Sequence, residues 1–305
     1  MRAAAILGLG CSERDLRPFQ QGSQADWIMG SPANSTDVDV ILVFGGDGTV
    51  HRHLAQLVRL QVPVLVVPRG SGNDFARALE LRRYRDALAA WQNFAAGADN
   101  VRKIDLGVIT PMGVPTPHHH YFCCVGGVGV DAETARRANR LPRWLRGHGG
   151  YALSLPGALA RFSAQPMKIS RPAIDPHEQF AVYSDQPVYV AAFANAPAYG
   201  GGMKIAPRAL MDDGQLDICV VRDINKLKLA CLFPTIYFGR HLDVPKVDYF
   251  QTKSLRIETE TPLDVYADGE YVCRAPIDVS VVPDALEVIV PAPTGFRDAE
   301  KMRAG

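Results

Sequence analysis

A glycine-rich pentapeptide directly after a nearly apolar stretch is the sequence feature that most constrains this fold. The stretch Val38–Phe44 reads VDVILVF, and GGDGT follows at residues 45–49. An almost continuous apolar run of this length is typical of a parallel strand covered on both faces. The glycines permit positive φ angles and close approach to a ligand, and Thr49 is a favourable N-cap. We therefore predict a strand, a tight turn and a helix whose first amides bind an anion.

The first third of the chain alternates between strand-like and helix-like segments. Apolar residues recur at helical spacing in Thr49–Leu60, and Val62–Val67 is a second buried strand. Helices are predicted over Asn73–Leu81 and Tyr84–Ala96, and Val101–Ile109 returns to strand. Such alternation predicts an α/β domain with a doubly wound parallel sheet.

A proline-rich segment marks the predicted domain boundary. Residues 111–117 read PMGVPTP, and short strands with turn signals dominate after them, beginning with Tyr121–Val125. We predict an α/β domain over residues 1–115 and a β-rich sandwich domain with added helices over residues 116–305.

Composition excludes several classes of function. The 305 residues are 47% hydrophobic, which is enough apolar material for two cores. The net charge of +1 gives no global basic field for nucleic acid, so we expect no nucleic-acid partner. The longest apolar runs have the length of a strand, so no membrane-spanning segment is predicted. The six cysteines form no CxxC pair, which is typical of a reduced cytoplasmic protein.

A second glycine loop, PRGSGNDFAR at residues 68–77, follows the next predicted strand. Both loops therefore lie at the carboxyl edge of the sheet, where such folds bind ligands. GGDG by itself is equally well explained as a tight turn, but its position between a strand and a helix favours phosphate binding. Two adjacent anion-binding loops suit a triphosphate better than either loop alone.

Two acidic motifs lie in the β-rich half, Asp212-Asp213-Gly214 and Asp268-Gly269-Glu270. Asp-Gly is a common hairpin signal, so the residues alone favour ordinary turns at both places. A basic stretch at residues 136–146 is compatible either with docking on anionic headgroups or with a solvated helix face.

Taken in order, these motifs resemble the catalytic domain of diacylglycerol kinases and their bacterial lipid-kinase relatives. The resemblance begins with GGDGT and PRGSGNDFAR and continues through residues 122–132, residues 195–207 and both acidic motifs. It covers about residues 38–290, and several motifs in register are far more specific than any one of them.

The resemblance implies that ATP phosphates are held by the two glycine loops. The corresponding residues are Gly45, Gly46, Asp47, Gly48 and Thr49 in the first loop, and Gly70, Ser71, Gly72, Asn73 and Asp74 in the second. Asp47 is also a candidate for orienting a metal ion or a hydroxyl.

The acidic motifs acquire roles through the same resemblance. It implies a Mg²⁺ site formed by the carboxylate of Asp213 and the carbonyls of Leu210 and Gln215, a donor set that suits this hard cation. It also makes Asp268 and Glu270 the candidates for a general base that accepts the proton of the substrate hydroxyl.

The implied activity is ATP- and Mg²⁺-dependent phosphorylation of diacylglycerol or a related lipid alcohol. The active site would be the cleft between the domains. The protein would be cytoplasmic, would reach its substrate at the inner membrane face, and is compatible with a homodimer.

Two alternatives stay open. His51-Arg52 stands where the family usually has Asn-Glu, and Leu7–Ser12 replaces its usual Asn-Pro loop, which favours a degenerate nucleotide- or lipid-binding protein. An NAD kinase-like enzyme shares the GGDG loop, but the Thr-Ala-Tyr segment of NAD kinases is absent from the sequence.

Overall fold

The computed structural model describes residues 1–21, 23–115, 118–141, 150–175 and 177–292. Its helices are α1 (Glu13–Gln21), α2 (Asp47–Leu60), α3 (Asp74–Ala78), α4 (Tyr84–Ala95), α5 (Val130–Ala138), α6 (Tyr151–Arg161) and α7 (Lys226–Ile236). Its strands are β1 (Arg2–Leu7), β2 (Asp26–Met29), β3 (Val40–Gly45), β4 (Val64–Pro68), β5 (Val101–Pro111), β6 (His120–Phe122), β7 (Val125–Gly129), β8 (Gln165–Pro172), β9 (Phe180–Ala194), β10 (Leu216–Arg222), β11 (Val247–Thr252), β12 (Ser254–Thr259), β13 (Asp264–Ala267), β14 (Glu270–Arg274) and β15 (Ile277–Ile289).

The N-terminal half contains the predicted parallel sheet. Strands β2, β1, β3 and β4 pair in that order, all in parallel. Every residue of β3 and β4 is buried, as their apolar sequences predicted. Helix α2 buries Val50, Leu54, Leu57 and Leu60, because this spacing places them on one helical face. The predicted α/β fold is thereby confirmed.

The C-terminal half is a β-sandwich-like domain built from antiparallel strands, also as predicted. Strands β14, β13, β7, β9, β8, β12 and β15 pair in that order, and β10 joins β9 to β11. A second hydrophobic core fills this half, with Phe122, Phe193, Ile218 and Ile257 among its fully buried members.

The last strand connects the two halves. The first part of β15 pairs with β12, its end pairs with β4 through Val288 and Val64, and β5 runs antiparallel beside it. The division at residues 115 and 116 stays a prediction. Within the described residues, no helix is both long enough and apolar enough to cross a bilayer.

Three local predictions were wrong. The predicted strand Tyr121–Val125 is split between β6 and β7, and Cys123 and Cys124 lie between the two strands. The predicted helix Asn73–Leu81 is shorter because Leu79 caps α3 and Glu80 adopts a left-handed φ of 64°. Helix α1 was missed because Pro18 lies inside it and its sequence is largely polar.

Candidate active site

The two glycine loops lie against each other at the ends of β3 and β4. A Cβ atom on Gly46 would be 2.8 Å from the Cα of Gly70, and one on Gly70 would be closer still to Gly46. The Arg69 N–H also donates to the Gly45 carbonyl over 2.9 Å. Only glycine permits so close an approach of two backbones. The predicted adjacency of the loops is therefore present.

Asp47 joins the first loop to the second. Its carboxylate accepts hydrogen bonds from the N–H groups of Asp74 at 3.1 Å and Phe75 at 3.0 Å, at the start of α3. Burial raises the pKa of Asp47 to about 6, with a further contribution from the Asp74 carboxylate. These contacts support a structural role for Asp47, whose catalytic role stays a prediction.

Asn73 and Thr49 shape the loops internally. Asn73 has a left-handed φ of 56°, and its side chain accepts from the Gly70 N–H at 2.9 Å and donates to the Gly70 carbonyl at 2.8 Å. The Thr49 N–H donates to the Gly46 carbonyl over 2.9 Å in the first turn of α2. Ser71 is exposed at the tip of the second loop. The Asn73 side chain thus fixes the second loop, whereas a backbone hydrogen bond closes the first turn of α2. The N-cap of α2 is Gly46 and not the predicted Thr49.

Asp268 lies in the turn between β13 and β14, where backbone donors surround its carboxylate. It accepts from the N–H groups of Cys123 at 2.7 Å, Cys124 at 2.8 Å and Val125 at 3.3 Å. The side chain is only 4% exposed. Both carboxylate oxygens therefore accept backbone hydrogen bonds, and these bonds hold the segment between β6 and β7 in place. This arrangement leaves Asp268 poorly available to accept a substrate proton.

Glu270 is the acidic residue that reaches the first glycine loop. A Cβ atom on Gly48 would lie 2.9 Å from Glu270 Oε1, so the carboxylate contacts the first turn of α2. Glu270 is exposed, and among the described residues its side chain has no hydrogen-bond partner. Of the two predicted base candidates, Glu270 is the exposed one and lies at the first glycine loop, and its role as a base stays a prediction.

His51 is a residue of this site that sequence analysis did not select. It projects from α2, and its Nδ1 lies 3.6 Å from Asp268 Oδ2. Burial alone would lower the pKa of His51, but the carboxylates of Asp268 and Glu270 outweigh it and raise that pKa. The sequence did contain a sign of this residue, because His51 stands shortly after GGDGT, where the resembled family usually has asparagine.

An apolar cavity lies next to the glycine segment that contacts the second loop. The Asp74 carboxylate accepts the Gly201 N–H at 2.9 Å, and the nearby Tyr199 hydroxyl donates to the Asp131 carboxylate. The cavity has a volume of about 50 Å³. Apolar side chains of several elements line it, including Val130, Leu159, Met203, Leu229, Leu232 and Phe233. Burial raises the pKa of Asp131 to about 6, against the effect of the Tyr199 hydrogen bond.

The predicted metal residues lie on a separate turn. The Asp213 carboxylate accepts from the Gln215 N–H and from the Gln251 side chain, each at 3.0 Å. Leu210 is exposed on the same turn. In the described part of the chain, no hydrogen bond or ion pair links this turn to either glycine loop, and no group of three His, Cys, Asp or Glu side chains is arranged for a metal. These hydrogen bonds nevertheless hold the Asp213 carboxylate in one orientation, and Mg²⁺, which retains waters, is usually bound through one or two carboxylates, so the residues of this turn fit the ion.

Comparisons with known proteins agree with this architecture. Residues 9–109 match the diacylglycerol kinase catalytic domain, and residues 125–290 match the YegS C-terminal NAD kinase beta sandwich-like domain. A diacylglycerol kinase of Mycobacterium tuberculosis is 34% identical over 83% of this chain and 77% of its own length. One of Staphylococcus haemolyticus is 26% identical over 84% of this chain and 72% of its own length.

A solved structure supports the fold independently. The crystal structure of a diacylglycerol kinase from Bacillus anthracis superposes with a TM-score of 0.65 at 19% identity, covering 95% of this chain and 96% of that one. Both halves of the chain thus match domains of one family, in the expected order. The chain belongs to the family of diacylglycerol kinases and YegS-like lipid kinases, whose members are phosphotransferases with an alcohol as acceptor.

Proposed function

We propose that this protein transfers the γ-phosphate of ATP to a hydroxyl of diacylglycerol or a related lipid alcohol. The observation that carries the proposal is the contact of the Glu270 carboxylate, from the C-terminal half, with Gly48 in the first glycine loop. Phosphoryl transfer depends mainly on positioning and charge stabilisation, with little covalent help from the protein. A carboxylate at the phosphate loop supplies the one proton acceptor that the reaction needs.

The two glycine loops would hold the ATP phosphates. Their backbones approach each other at Gly46 and Gly70, and α2 begins directly from the first loop. Amides at a helix start, together with the helix dipole, favour negative charge. Glu270 would accept the proton of the attacking hydroxyl while Asp268 holds its turn in place.

Magnesium fits the residues of the Asp213 turn. Asp213 and the carbonyls of Leu210 and Gln215 would hold the ion. When bound, Mg²⁺ supplies positive charge that offsets the charge of phosphate oxygens.

The apolar cavity supports a lipid as the acceptor. Its lining includes Tyr199 and Met203, on either side of the Gly201 that contacts Asp74 of the second loop. The polar groups in its otherwise apolar lining are Asp131, Tyr199 and His241. An amphipathic alcohol has the same combination of polar and apolar parts. At about 50 Å³ the cavity is too small for a whole acyl chain, so an acyl chain would enter only if α6 and α7 separate.

A degenerate binding protein is the second candidate, because the His51 side chain introduces an imidazole beside Asp268 and Glu270. In that case ATP or lipid would bind without turnover.

The test is transfer of labelled γ-phosphate from ATP into a panel of lipid alcohols in mixed micelles, with Mg²⁺ or with a chelator. The panel contains diacylglycerol, a monoacylglycerol, a sphingoid base and a polyprenol, and NAD serves as the water-soluble acceptor. We expect Mg²⁺-dependent label in one lipid class. Label in NAD alone, or ATP binding without transfer to any acceptor, would refute the lipid kinase assignment.

A further inference from the structure

Helix α7 is apolar on its outward side as well as on the side that packs against the protein. Leu229 and Leu232 are buried and line the cavity. The opposite side is formed by Leu227, Cys231 and Pro234, and Phe238 follows just after the helix end; we call these four residues the outward face of α7. These positions are separated by four, three and four residues, so they follow one side of the helix and its last turn.

The outward face is strongly exposed. Leu227 has 74% and Phe238 76% of its surface accessible to solvent, and Cys231 is exposed between them. A surface helix normally carries polar residues opposite its buried side, so apolar residues there are unusual. An exposed apolar stripe of this kind marks a surface that contacts another phase or another molecule.

Basic side chains flank this stripe. Lys226 and Lys228 lie on either side of Leu227, and Arg240 follows Phe238; all three are exposed. Residues 223–246 contain four basic and two acidic residues, although the whole chain has a net charge of only +1. Apolar side chains surrounded by lysine and arginine complement the interface of a bilayer that carries anionic headgroups.

The same helix borders the proposed acceptor site. Its inner side lines the apolar cavity, and the Ile236 carbonyl accepts the Lys204 N–H at 3.2 Å, just after the glycine run that contacts Asp74. Burial and the nearby Asp74 carboxylate raise the pKa of Tyr237, at the C-terminal end of α7. A surface docked through α7 would therefore place a bilayer beside both the cavity and the second loop.

We propose that the outward face of α7, together with Lys226, Lys228 and Arg240, docks the protein on an anionic lipid bilayer. This inference rests on the proposed function, since a lipid acceptor must be taken from a membrane. The basic stretch predicted at residues 136–146 falls partly within residues 142–149, which lie outside the described residues.

The test is flotation of the full-length protein with vesicles of equimolar phosphatidylcholine and phosphatidylglycerol, and with phosphatidylcholine alone. We expect binding to the anionic vesicles that weakens with added salt. The variants Leu227→Ser with Phe238→Ser, and Lys226→Gln with Lys228→Gln, should each weaken vesicle binding about tenfold or more. These side chains are exposed, so their replacement leaves the core intact.

Ile174→Ser is the matched control. Ile174 is 99% exposed in the loop after β8, whereas Lys226 of α7 donates to the carbonyl of Ala160, before β8; replacement of Ile174 should leave vesicle binding unchanged. Equal vesicle binding by wild type and both α7 variants would overturn the proposal. A wild-type dimer that the Leu227 and Phe238 variant converts to a monomer, with vesicle binding unchanged, would instead assign the face to a second copy and would also overturn it.

A second readout separates this proposal from the proposed function. The α7 variants should keep wild-type turnover of a short-chain diacylglycerol presented as soluble monomers, because the active site is untouched. Loss of vesicle binding with retained monomer turnover supports docking through α7. If wild type binds vesicles through α7 but phosphorylates no lipid, the docking surface stands and the kinase assignment fails.

Discussion

The Glu270 carboxylate contacts Gly48 at the first turn of α2, although the two residues are more than two hundred positions apart in the chain. A Cβ atom on Gly48 would lie 2.9 Å from Glu270 Oε1. Asp268 makes this contact possible, because backbone N–H groups at residues 123–125 bind its carboxylate and hold the turn. One acidic motif therefore contributes a fixed residue and an exposed one to the same site.

The contact between Gly46 and Gly70 predicts that an added methyl group at either position disrupts nucleotide binding. In Gly46→Ala the new Cβ would lie 2.8 Å from the Gly70 Cα, and backbone atoms have little freedom to move. Overpacking of this kind costs ~1–3 kcal/mol, so we expect the Kd for ATP, measured by calorimetry, to rise about tenfold or more.

Gly157→Ala is the control for this substitution. Its Cβ would lie 3.0 Å from Arg137 Nη1, the end of a flexible side chain, and alanine is the better helix former in α6. ATP affinity should match that of wild type in this variant. An equally normal affinity in Gly46→Ala would show that the nucleotide does not depend on the paired loops.

The sequence predicted the two loops well because each consists of local signals. The run at Val40–Gly45 and the glycines after it determine a buried strand and a tight turn without help from the rest of the chain. The roles of Asp268 and Glu270 differ for a reason that local patterns do not contain. Asp268 meets N–H donors from residues 123–125, and those donors are free only because Cys123 and Cys124 interrupt a strand that the apolar pattern predicted as continuous.

His51 predicts a pH dependence of stability. The Asp268 and Glu270 carboxylates raise its pKa in the folded protein above the usual 6.5, in spite of burial. The stabilisation from charged His51 is therefore complete below about pH 6.5 and is lost as the pH rises through the higher folded pKa. In urea unfolding, wild type should lose stability relative to His51→Asn as the pH rises above about 6.5.

His53 on the same helix is the matched control with the opposite sign. Burial and Arg52 lower the pKa of His53, so its contribution to stability grows as the pH rises toward 6.5. As the pH rises toward 6.5, the free energy of unfolding of wild type should therefore increase relative to that of His53→Asn, which is opposite to the change for His51→Asn. The same pH dependence for both variants would contradict the pairing of His51 with Asp268.

The buried Asp131 side chain predicts that its ionisation lowers the free energy of unfolding at neutral pH. Burial raises its pKa from 3.8 to about 6, so the folded state holds the proton longer than the unfolded state. Ionisation of Asp131 should therefore lower the free energy of unfolding of wild type by ~3 kcal/mol as the pH rises from about 4 to about 6. Asp131→Asn should remove that loss and unfold at a higher urea concentration above about pH 7. Parallel pH profiles for the two proteins would rule out a buried, protonated Asp131.

The Asp213 turn predicts a change in metal requirement. Asp213→Ala removes the only carboxylate of the proposed Mg²⁺ site. The Mg²⁺ concentration that gives half-maximal activity should therefore rise about tenfold or more. Asp212→Ala is the control, since Asp212 is the exposed neighbour on the same turn. If the Asp213 variant has the wild-type Mg²⁺ requirement, the metal is not held by Asp213.

Comparison of Glu270→Gln with wild type, in ATP binding and in label transfer to the lipid acceptor, tests the central claim most directly. We expect transfer to fall about a hundredfold or more while the Kd for ATP stays within about threefold, because the amide cannot accept the hydroxyl proton. Asp268→Asn should instead lower thermal stability, since its amide nitrogen would face N–H donors. Wild-type transfer by Glu270→Gln would contradict the account, because the proton would then leave the substrate without the carboxylate that contacts Gly48.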